Sequence, residues 1–177
     1  MPIDYHEKAF EDAIEHYLLT SAGYTKADRA DFHRERCVDP DVFISFVQET
    51  QPKEWQYLEN SVKANAAAIL LDDLCKTLDS QGSLNVLRHG FKCYGKLFRA
   101  AYFAPASGMN PELKKAYDAN RLTVTRQLHY SSSSEKSIDL VLSLNGIPVA
   151  TAELKNPLSG QNVEHAMHQY RHDRDPR

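Results

Sequence analysis

The sequence predicts an α/β fold, in which a small mixed β-sheet is flanked by helices and the N-terminal half is helical. Apolar residues follow helical spacing in the first half, alternate with polar residues after Asn120, and return to helical spacing from Gln161 to Tyr170. This order of elements favours an α/β sandwich. No internal repeat or long linker divides the 177 residues, so we expect one domain over residues 1–177.

The first helix is predicted over Tyr5–Ser21. Its apolar residues recur at helical spacing, and Gly23 follows as a stop signal. Asp4 and Glu7 stand three residues apart, which resembles a capping box at the start of this helix.

Three further helices are expected before residue 82. Asp39-Pro40 opens a short one over Val42–Gln48, and Gln51-Pro52 opens another, because proline is well accommodated in the first turn. The Ala-rich run Asn65–Leu78 is the longest candidate, with apolar residues around much of its circumference, and Gln81-Gly82 ends it.

The middle of the chain carries an uneven charge. The aromatic residues of Phe91–Phe103 are compatible with a strand, and Asn110-Pro111 predicts the start of a helix through Tyr117. From Arg88 to Arg126 there are eight basic and two acidic residues, a net charge of +6, which leaves −9 for the rest of the chain. This stretch is either a surface that contacts phosphates or a set of solvated helix faces.

A meander of three strands is predicted after Asn120, because the spacing of apolar residues changes to two. The strands are Leu122–Tyr130, Ser137–Leu144 and Ile147–Leu154, and Asn145-Gly146 forms the turn between the last two. A final helix is expected over Gln161–Tyr170.

Composition excludes several classes of protein. The chain is 42% hydrophobic and 25% charged with a net charge of −3, values typical of a globular domain that does not coat nucleic acid by bulk basicity. No apolar run suits a membrane span or a signal peptide, so we expect a cytoplasmic protein without membrane contact. The sequence contains no CxxC pair, so it predicts neither a zinc site nor a disulfide framework. We interpret the histidines of the last helix as surface residues: His165, His168 and His172.

Chemistry is concentrated between Ser137 and Lys155. Asp139 lies near the start of one predicted strand, and Glu153-Leu154-Lys155 closes the next. Since residues two apart in a strand share a face, Glu153 and Lys155 can converge on one point. Two carboxylates supply hard oxygen ligands for Mg²⁺, and the lysine ammonium can orient a water or stabilise developing negative charge, which suits hydrolysis of a phosphodiester.

The turn at Asn145-Gly146 tests this arrangement. A plain two-residue turn would pair Asp139 with Ala152 and leave Asp139 and Glu153 on opposite faces of the sheet. A shared face requires a three-residue loop that pairs Asp139 with Thr151, or an equivalent bulge elsewhere in the strand pair. We expect one of these two arrangements.

These residues resemble a known nuclease superfamily. Asp139 followed by Glu153-Leu154-Lys155 is similar to the PD-(D/E)xK pattern, with Ile138 in place of the proline. Further stretches resemble the N-terminal nuclease domain of type I restriction enzyme R subunits, and the resemblance spans nearly the whole chain. They are His6–Ile14, Gly23-Tyr24, Asn120–Ser131, Ser137–Asp139, Asn145-Gly146, Ala152–Pro157, Ser159–Gln161, Gln169–Arg171 and Asp173–Pro176.

The resemblance implies a restriction-endonuclease-like core and an Mg²⁺-dependent endonuclease that hydrolyses double-stranded DNA. It assigns Asp139, Glu153 and Glu11 as ligands of Mg²⁺, and places Lys155 beside the attacking water. Glu11 represents the family's first-helix glutamate, and it lies at the edge of the predicted buried stripe of that helix. Glu7 shares its face but ranks second, because Asp4 gives it a capping role.

Two glutamines are also implicated. Gln169 resembles the family's downstream glutamine, which orients the catalytic lysine or binds DNA, although Asp173 stands where the family's Gln-x-x-x-Tyr pattern has tyrosine. Tyr170 is adjacent instead, so the tyrosine role is unassigned. Because Arg126 and Gln127 alternate on their strand, only one should face the site, and we favour Gln127.

DNA contact is expected mainly at phosphates and therefore with weak sequence specificity, since no segment resembles a recognition helix. The candidate contacts are Lys114, Lys115, Arg121, Arg126 and Gln127. In the family this domain precedes helicase-type motor domains, yet no GxxxxGK[ST] loop is present here. We therefore expect a fragment of a longer protein. ATP use, translocation and assembly with methylase and specificity subunits would belong to the parent.

Two rival interpretations remain. A docking module that keeps a nuclease-like fold would bind DNA or the motor without catalysis. An unrelated metal-binding or regulatory α/β domain would require the resemblance to be accidental.

Overall fold

The computed structural model describes residues 5–107, 110–132, 134–155 and 162–173. Its helices are α1 (Tyr5–Ser21), α2 (Pro40–Thr50), α3 (Pro52–Val62), α4 (Ala66–Gln81), α5 (Ser83–His89), α6 (Pro111–Asp118) and α7 (Val163–His168), the last continued by a π-helical segment over Gln169–Asp173. Its strands are β1 (Thr25–Lys26), β2 (Phe91–Cys93), β3 (Lys96–Phe98), β4 (Leu122–His129), β5 (Ser137–Leu144) and β6 (Ile147–Ala152). No helix in these ranges is long and apolar enough to cross a membrane.

The main sheet is mixed, as predicted. Its order is β1-β4-β5-β6, with β1 parallel to β4 and the other neighbours antiparallel. The predicted meander is thus confirmed, whereas β1 was missed because two residues carry no periodicity. The aromatic stretch at residues 91–103 is a short β2–β3 hairpin that ends at Phe98, not one strand, since Tyr94 and Gly95 turn the chain with positive φ.

Most predicted helices are confirmed. The bounds of α1 agree with the prediction, and Asp39 and Asn110 cap the N-termini of α2 and α6 through side-chain hydrogen bonds. The seven-residue α5 was missed, because it is enclosed by Gly82 and Gly90, which sequence patterns assign to loops. Asp4, Gln161 and the side chains of Glu7 and Asp173 lie outside the described residues.

Two apolar clusters hold the fold together. The larger joins α2, α3, α4 and the β2–β3 hairpin, with Phe43, Leu58 and Leu74 fully buried. The smaller lies under α1 and contains Val124 and Leu140 of the sheet with Leu154. Packing α1 on the sheet in this way brings the helix over the ends of β4 and β5 where the functional side chains lie.

The β5–β6 turn ties the sheet to the helical half. Asn145 is fully buried at φ +52, and its side chain accepts from the Arg121 backbone amide and donates to the Ala100 carbonyl. Gly146 has φ +80, and a Cβ there would lie 2.4 Å from the carbonyl oxygen of Asp39. The turn therefore requires both residues, one for its buried hydrogen bonds and the other for a close backbone approach.

The β5–β6 register places the two carboxylates on one face. Leu144 lies opposite Ile147, so the turn is a plain two-residue turn, and the prediction of a three-residue loop was wrong. A bulge follows between Leu142 and Ser143, with Val149 as the extra residue of β6, so that Leu140 lies opposite Ala152. The predicted alternative, a bulge elsewhere in the β5–β6 pair, is thus confirmed. One residue beyond the pair Leu140–Ala152, the same register sets Asp139 opposite Glu153.

Candidate active site

The candidate site lies where β5 begins and β6 has just ended. The Leu154 backbone amide donates to Asp139 Oδ2 at 2.7 Å, which joins the two strand ends. Leu154 is buried in the smaller core, with 8% of its surface exposed. Since neighbouring residues of an extended chain point to opposite sides, Glu153 and Lys155 face away from that core.

Four sequence-predicted residues meet in an open cleft of about 350 Å³. They are Asp139, Glu153, Lys155 and Gln169, and the rest of the lining comes from Glu135, Lys136 and Ser137. Gln169 reaches the cleft from the π-helical segment that continues α7. The hydroxyls of Tyr170 and Thr151 lie 3.0 Å apart, which fastens this segment to β6. Tyr170 is thus a contact of the sheet beside the cleft.

Glu11 is buried on α1, only 6% exposed, with its carboxylate bound on both oxygens. Its Oε2 accepts from Arg126 Nη2 at 2.6 Å, and its Oε1 accepts from Gln127 Nε2 at 2.8 Å. Arg126 also pairs with Asp12 and with Glu15. Burial lowers the pKa of the Arg126 guanidinium, but its hydrogen bonds to the three carboxylates raise that pKa by more. The net pKa is therefore raised, and the group stays charged.

Gln127 connects Glu11 with Asp139. Its Nε2 also donates to Asp139 Oδ1 at 3.3 Å, and its Oε1 accepts from Ser137 Oγ at 3.0 Å. Its φ of +48 lies in the left-handed region and interrupts the alternation of β4. For this reason both Arg126 and Gln127 reach Glu11, whereas strict alternation predicted that only one of them would face the site.

The donor set at this cleft suits a hard cation. Mg²⁺ keeps several waters and is often held by one or two carboxylates, which Asp139 and Glu153 provide from opposite strands. Among the described residues, however, no group of three His, Cys, Asp or Glu side chains is arranged to hold a metal. Glu11 is therefore not grouped with the other two carboxylates, and its contacts go to Arg126 and Gln127.

The residues predicted to contact DNA divide between two places. Gln127 and Arg126 lie by the candidate site, where Arg126 is surrounded by carboxylates of α1. Lys114 pairs with Asp118 on α6, and Arg121 binds Ser45 and, at 2.9 Å, Glu49. Arg121 precedes β4, so at about 3.3 Å per residue it lies roughly 20 Å from Gln127 along the strand. Lys115 lies on α6, beside a cleft that Glu49 also lines.

A basic cleft that the sequence did not reveal adjoins the site. It measures about 590 Å³ and is lined by four cations and one carboxylate, together with Gln127 and Ala27: Lys8, Lys26, Arg29, Arg126 and Asp28. Lys26 and Arg126 are paired with carboxylates of α1, whereas Lys8 and Arg29 make no ion pair with any carboxylate that the structure describes. The parallel pairing of β1 with β4 assembles this cleft from distant parts of the chain, so no local sequence signal marks it.

Comparison with known families gives a match over most of the chain. A family model described as the type I restriction enzyme R protein N terminus matches residues 4–177, nearly the full chain. No curated protein and no solved structure matches the chain.

Proposed function

Because the chain belongs to the type I restriction enzyme R protein N-terminal family, we propose that it is a Mg²⁺-dependent endonuclease domain that hydrolyses phosphodiester bonds of double-stranded DNA. The observation that carries the proposal is the meeting of Asp139, Glu153 and Lys155 in one cleft. Two carboxylates and an ammonium group form a set that binds a divalent cation and an anionic substrate together.

The carboxylates of Asp139 and Glu153 would hold the metal ion. When bound, Mg²⁺ neutralises charge on the phosphate and activates a water for attack. Hydrolysis forms a bond from the water oxygen to phosphorus and breaks the bond from phosphorus to the departing sugar oxygen, which takes up a proton. The Lys155 ammonium, on the same cleft wall, would stabilise the negative charge that develops on the phosphate.

The neighbouring residues support this set. The Leu154 amide restricts the Asp139 carboxylate to one orientation while leaving further lone pairs on both oxygens. Gln169 lines the same cleft and can donate an amide hydrogen to a phosphate or hold Lys155. Glu11 is proposed as a third ligand through Oε1, which accepts from Gln127 and keeps a further lone pair, as Oε2 accepts both hydrogen bonds from Arg126.

DNA would approach through phosphate contacts. The basic cleft supplies Lys8 and Arg29, which pair with none of the described carboxylates, next to Gln127, which in turn binds Asp139. Lys114, Lys115 and Arg121 would contact a more distant part of the same duplex, since they lie at the other end of β4. Phosphate contacts position a duplex but do not read its base sequence, so sequence recognition would depend on another subunit.

The family name refers to the R protein of a type I restriction enzyme. We assign methylase and specificity subunits as partners and the cytoplasm as location on that basis. ATP-dependent translocation would require a motor, and the 177 residues contain no GxxxxGK[ST] phosphate-binding loop.

Two observations favour a second function, a docking module without catalysis. The described residues offer no three-ligand metal group, and Glu11 is neutralised by Arg126. Plasmid cleavage separates the two functions. The nuclease proposal predicts Mg²⁺-dependent nicking or linearisation by the chain, alone or within its R subunit, and loss of cleavage in Lys155→Met. Absence of cleavage by the complete R subunit would favour the docking module. Cleavage that persists in Lys155→Met would contradict the catalytic role of Lys155.

A further inference from the structure

Gln127 has a defined side-chain orientation. Both hydrogens of its amide nitrogen point at carboxylates, one at Glu11 and one at Asp139, and its oxygen receives the Ser137 hydroxyl. Turning the amide over would place its oxygen against two carboxylate oxygens and its nitrogen against a hydroxyl. Three contacts therefore select one of the two amide orientations.

The backbone of Gln127 is in an unfavourable conformation. A φ of +48 is uncommon for a residue with a side chain and is strained relative to glycine at the same position. The β4–β5 register is uninterrupted on either side, since Arg126 lies opposite Leu140 and Leu128 opposite Ile138. The strain is thus confined to Gln127, the residue opposite Asp139, and it lets the amide reach both carboxylates.

The anchor on the far side of Gln127 is held by several contacts. Glu11 is held by two hydrogen bonds from Arg126, at 2.6 and 3.1 Å, and Arg126 also reaches Asp12 and Glu15 on the same helix. This cluster fixes α1 to β4. A chain of contacts runs from it through the Gln127 amide to one oxygen of Asp139, while Leu154 fixes the other oxygen.

The structure assigns Gln127 as a positioning residue that orients the Asp139 carboxylate for a divalent cation, with Glu11 and Arg126 as the anchor of its amide. The assignment rests on the proposed function, and it deepens that function by giving Glu11 a role in addition to metal ligation. Residues that hold a metal ligand by hydrogen bonds commonly contribute 10- to 100-fold to metal affinity.

Glycine at position 127 separates side-chain positioning from backbone shape. Because glycine adopts positive φ freely, Gln127→Gly relieves the strain and removes the side chain that carries the amide. Gln127→Asn tolerates the same backbone and keeps an amide, but it is one methylene too short to span both carboxylates. Asn65→Gly is the matched control, since Asn65 also has positive φ (+80), makes no capping hydrogen bond through its side chain and lies in another part of the fold.

We would measure Mg²⁺ affinity by titration calorimetry and the melting temperature for these chains and the wild type. The expected result is a melting temperature for Gln127→Gly near or above that of the wild type, with Mg²⁺ affinity at least about tenfold weaker in both Gln127 variants. Asn65→Gly should bind as the wild type does. Wild-type affinity in Gln127→Gly would overturn the positioning role. Absence of Mg²⁺ binding by the wild-type chain would instead overturn the proposed function on which that role rests.

Discussion

The carboxylate of Asp139 accepts a 2.7 Å hydrogen bond from the backbone amide of Leu154, the residue that separates Glu153 from Lys155. This one contact fixes the end of β6 against the start of β5. With Leu154 buried in the core, its two neighbours face the cleft that Asp139 lines. The constellation proposed for catalysis thus depends on a backbone contact as well as on its side chains.

Lys155 should be required for cleavage and dispensable for folding. Lys155→Met removes the ammonium but keeps most of the apolar stem, so we expect Mg²⁺ binding within about twofold of the wild type. Losing an electrostatic group at the reacting phosphate typically costs about 10²–10³ in rate. Plasmid cleavage, with Lys136→Met as a control on the same cleft, checks this. Equal loss in both variants would contradict a specific role for Lys155.

Arg126 should contribute strongly to stability. Its side chain is 18% exposed, and Arg126→Met would leave the buried carboxylate of Glu11 without its cation. Removing one partner of a buried pair typically costs about 3–5 kcal/mol. Urea denaturation followed by circular dichroism measures this, and Arg34→Met is the control because its pair with Glu135 is exposed and should contribute less than about 1 kcal/mol. Similar midpoints for the two variants would refute the anchoring role.

Gly146 should tolerate no side chain. Gly146→Ala combines a positive φ with a Cβ placed 2.4 Å from the Asp39 carbonyl oxygen, so the turn or α2 must move. Gly95 has a similar φ of +76 but open space around it, so Gly95→Ala should lose only about 1 kcal/mol from conformational strain. Thermal unfolding of the two variants should therefore show a clearly larger loss for Gly146→Ala. A loss no greater than that of Gly95→Ala would show that the contact with α2 is unimportant.

Salt dependence should locate the DNA contacts. Each phosphate contact to duplex DNA contributes about −0.9 to the slope of log affinity against log salt concentration. If the basic cleft binds DNA, the double change of Lys8 and Arg29 to alanine should flatten the slope by up to about 1.8. The matched pair of alanine changes at Lys114 and Lys115 tests the surface predicted from the sequence. Fluorescence anisotropy on a short duplex measures both, and an unchanged slope excludes the surface concerned.

The sequence predicted the parts of the fold whose information is local. Helix α1 and strand β5 follow from periodicity alone, and the caps of α2 and α6 follow from Asp39 and Asn110. Strand β1 did not, because two residues become a strand only through pairing with β4. The β6 bulge was expected as one of two alternatives, since only a bulge or an odd loop brings Asp139 and Glu153 to one face.

The sequence predicted which residues form the candidate site, but only part of how these residues contact one another. The resemblance named Asp139, Glu153, Lys155 and Gln169, and these meet in one cleft. The contacts of Glu11 were not predictable, since they depend on a positive φ at Gln127 that no pattern of alternating residues anticipates. The basic cleft was equally hidden, because Lys8 and Arg29 become neighbours only when α1 and β1 pack beside β4.

Titration of Mg²⁺ into the wild-type chain and into Asp139→Asn shows whether Asp139 holds a metal ion. The asparagine keeps an oxygen that can accept the Leu154 amide, so the variant removes the charge with little change of shape. We expect saturable binding by the wild type and affinity at least about tenfold weaker in Asp139→Asn, with similar melting temperatures for the two chains. Wild-type affinity in Asp139→Asn, or no binding by either chain, would contradict a metal site at Asp139.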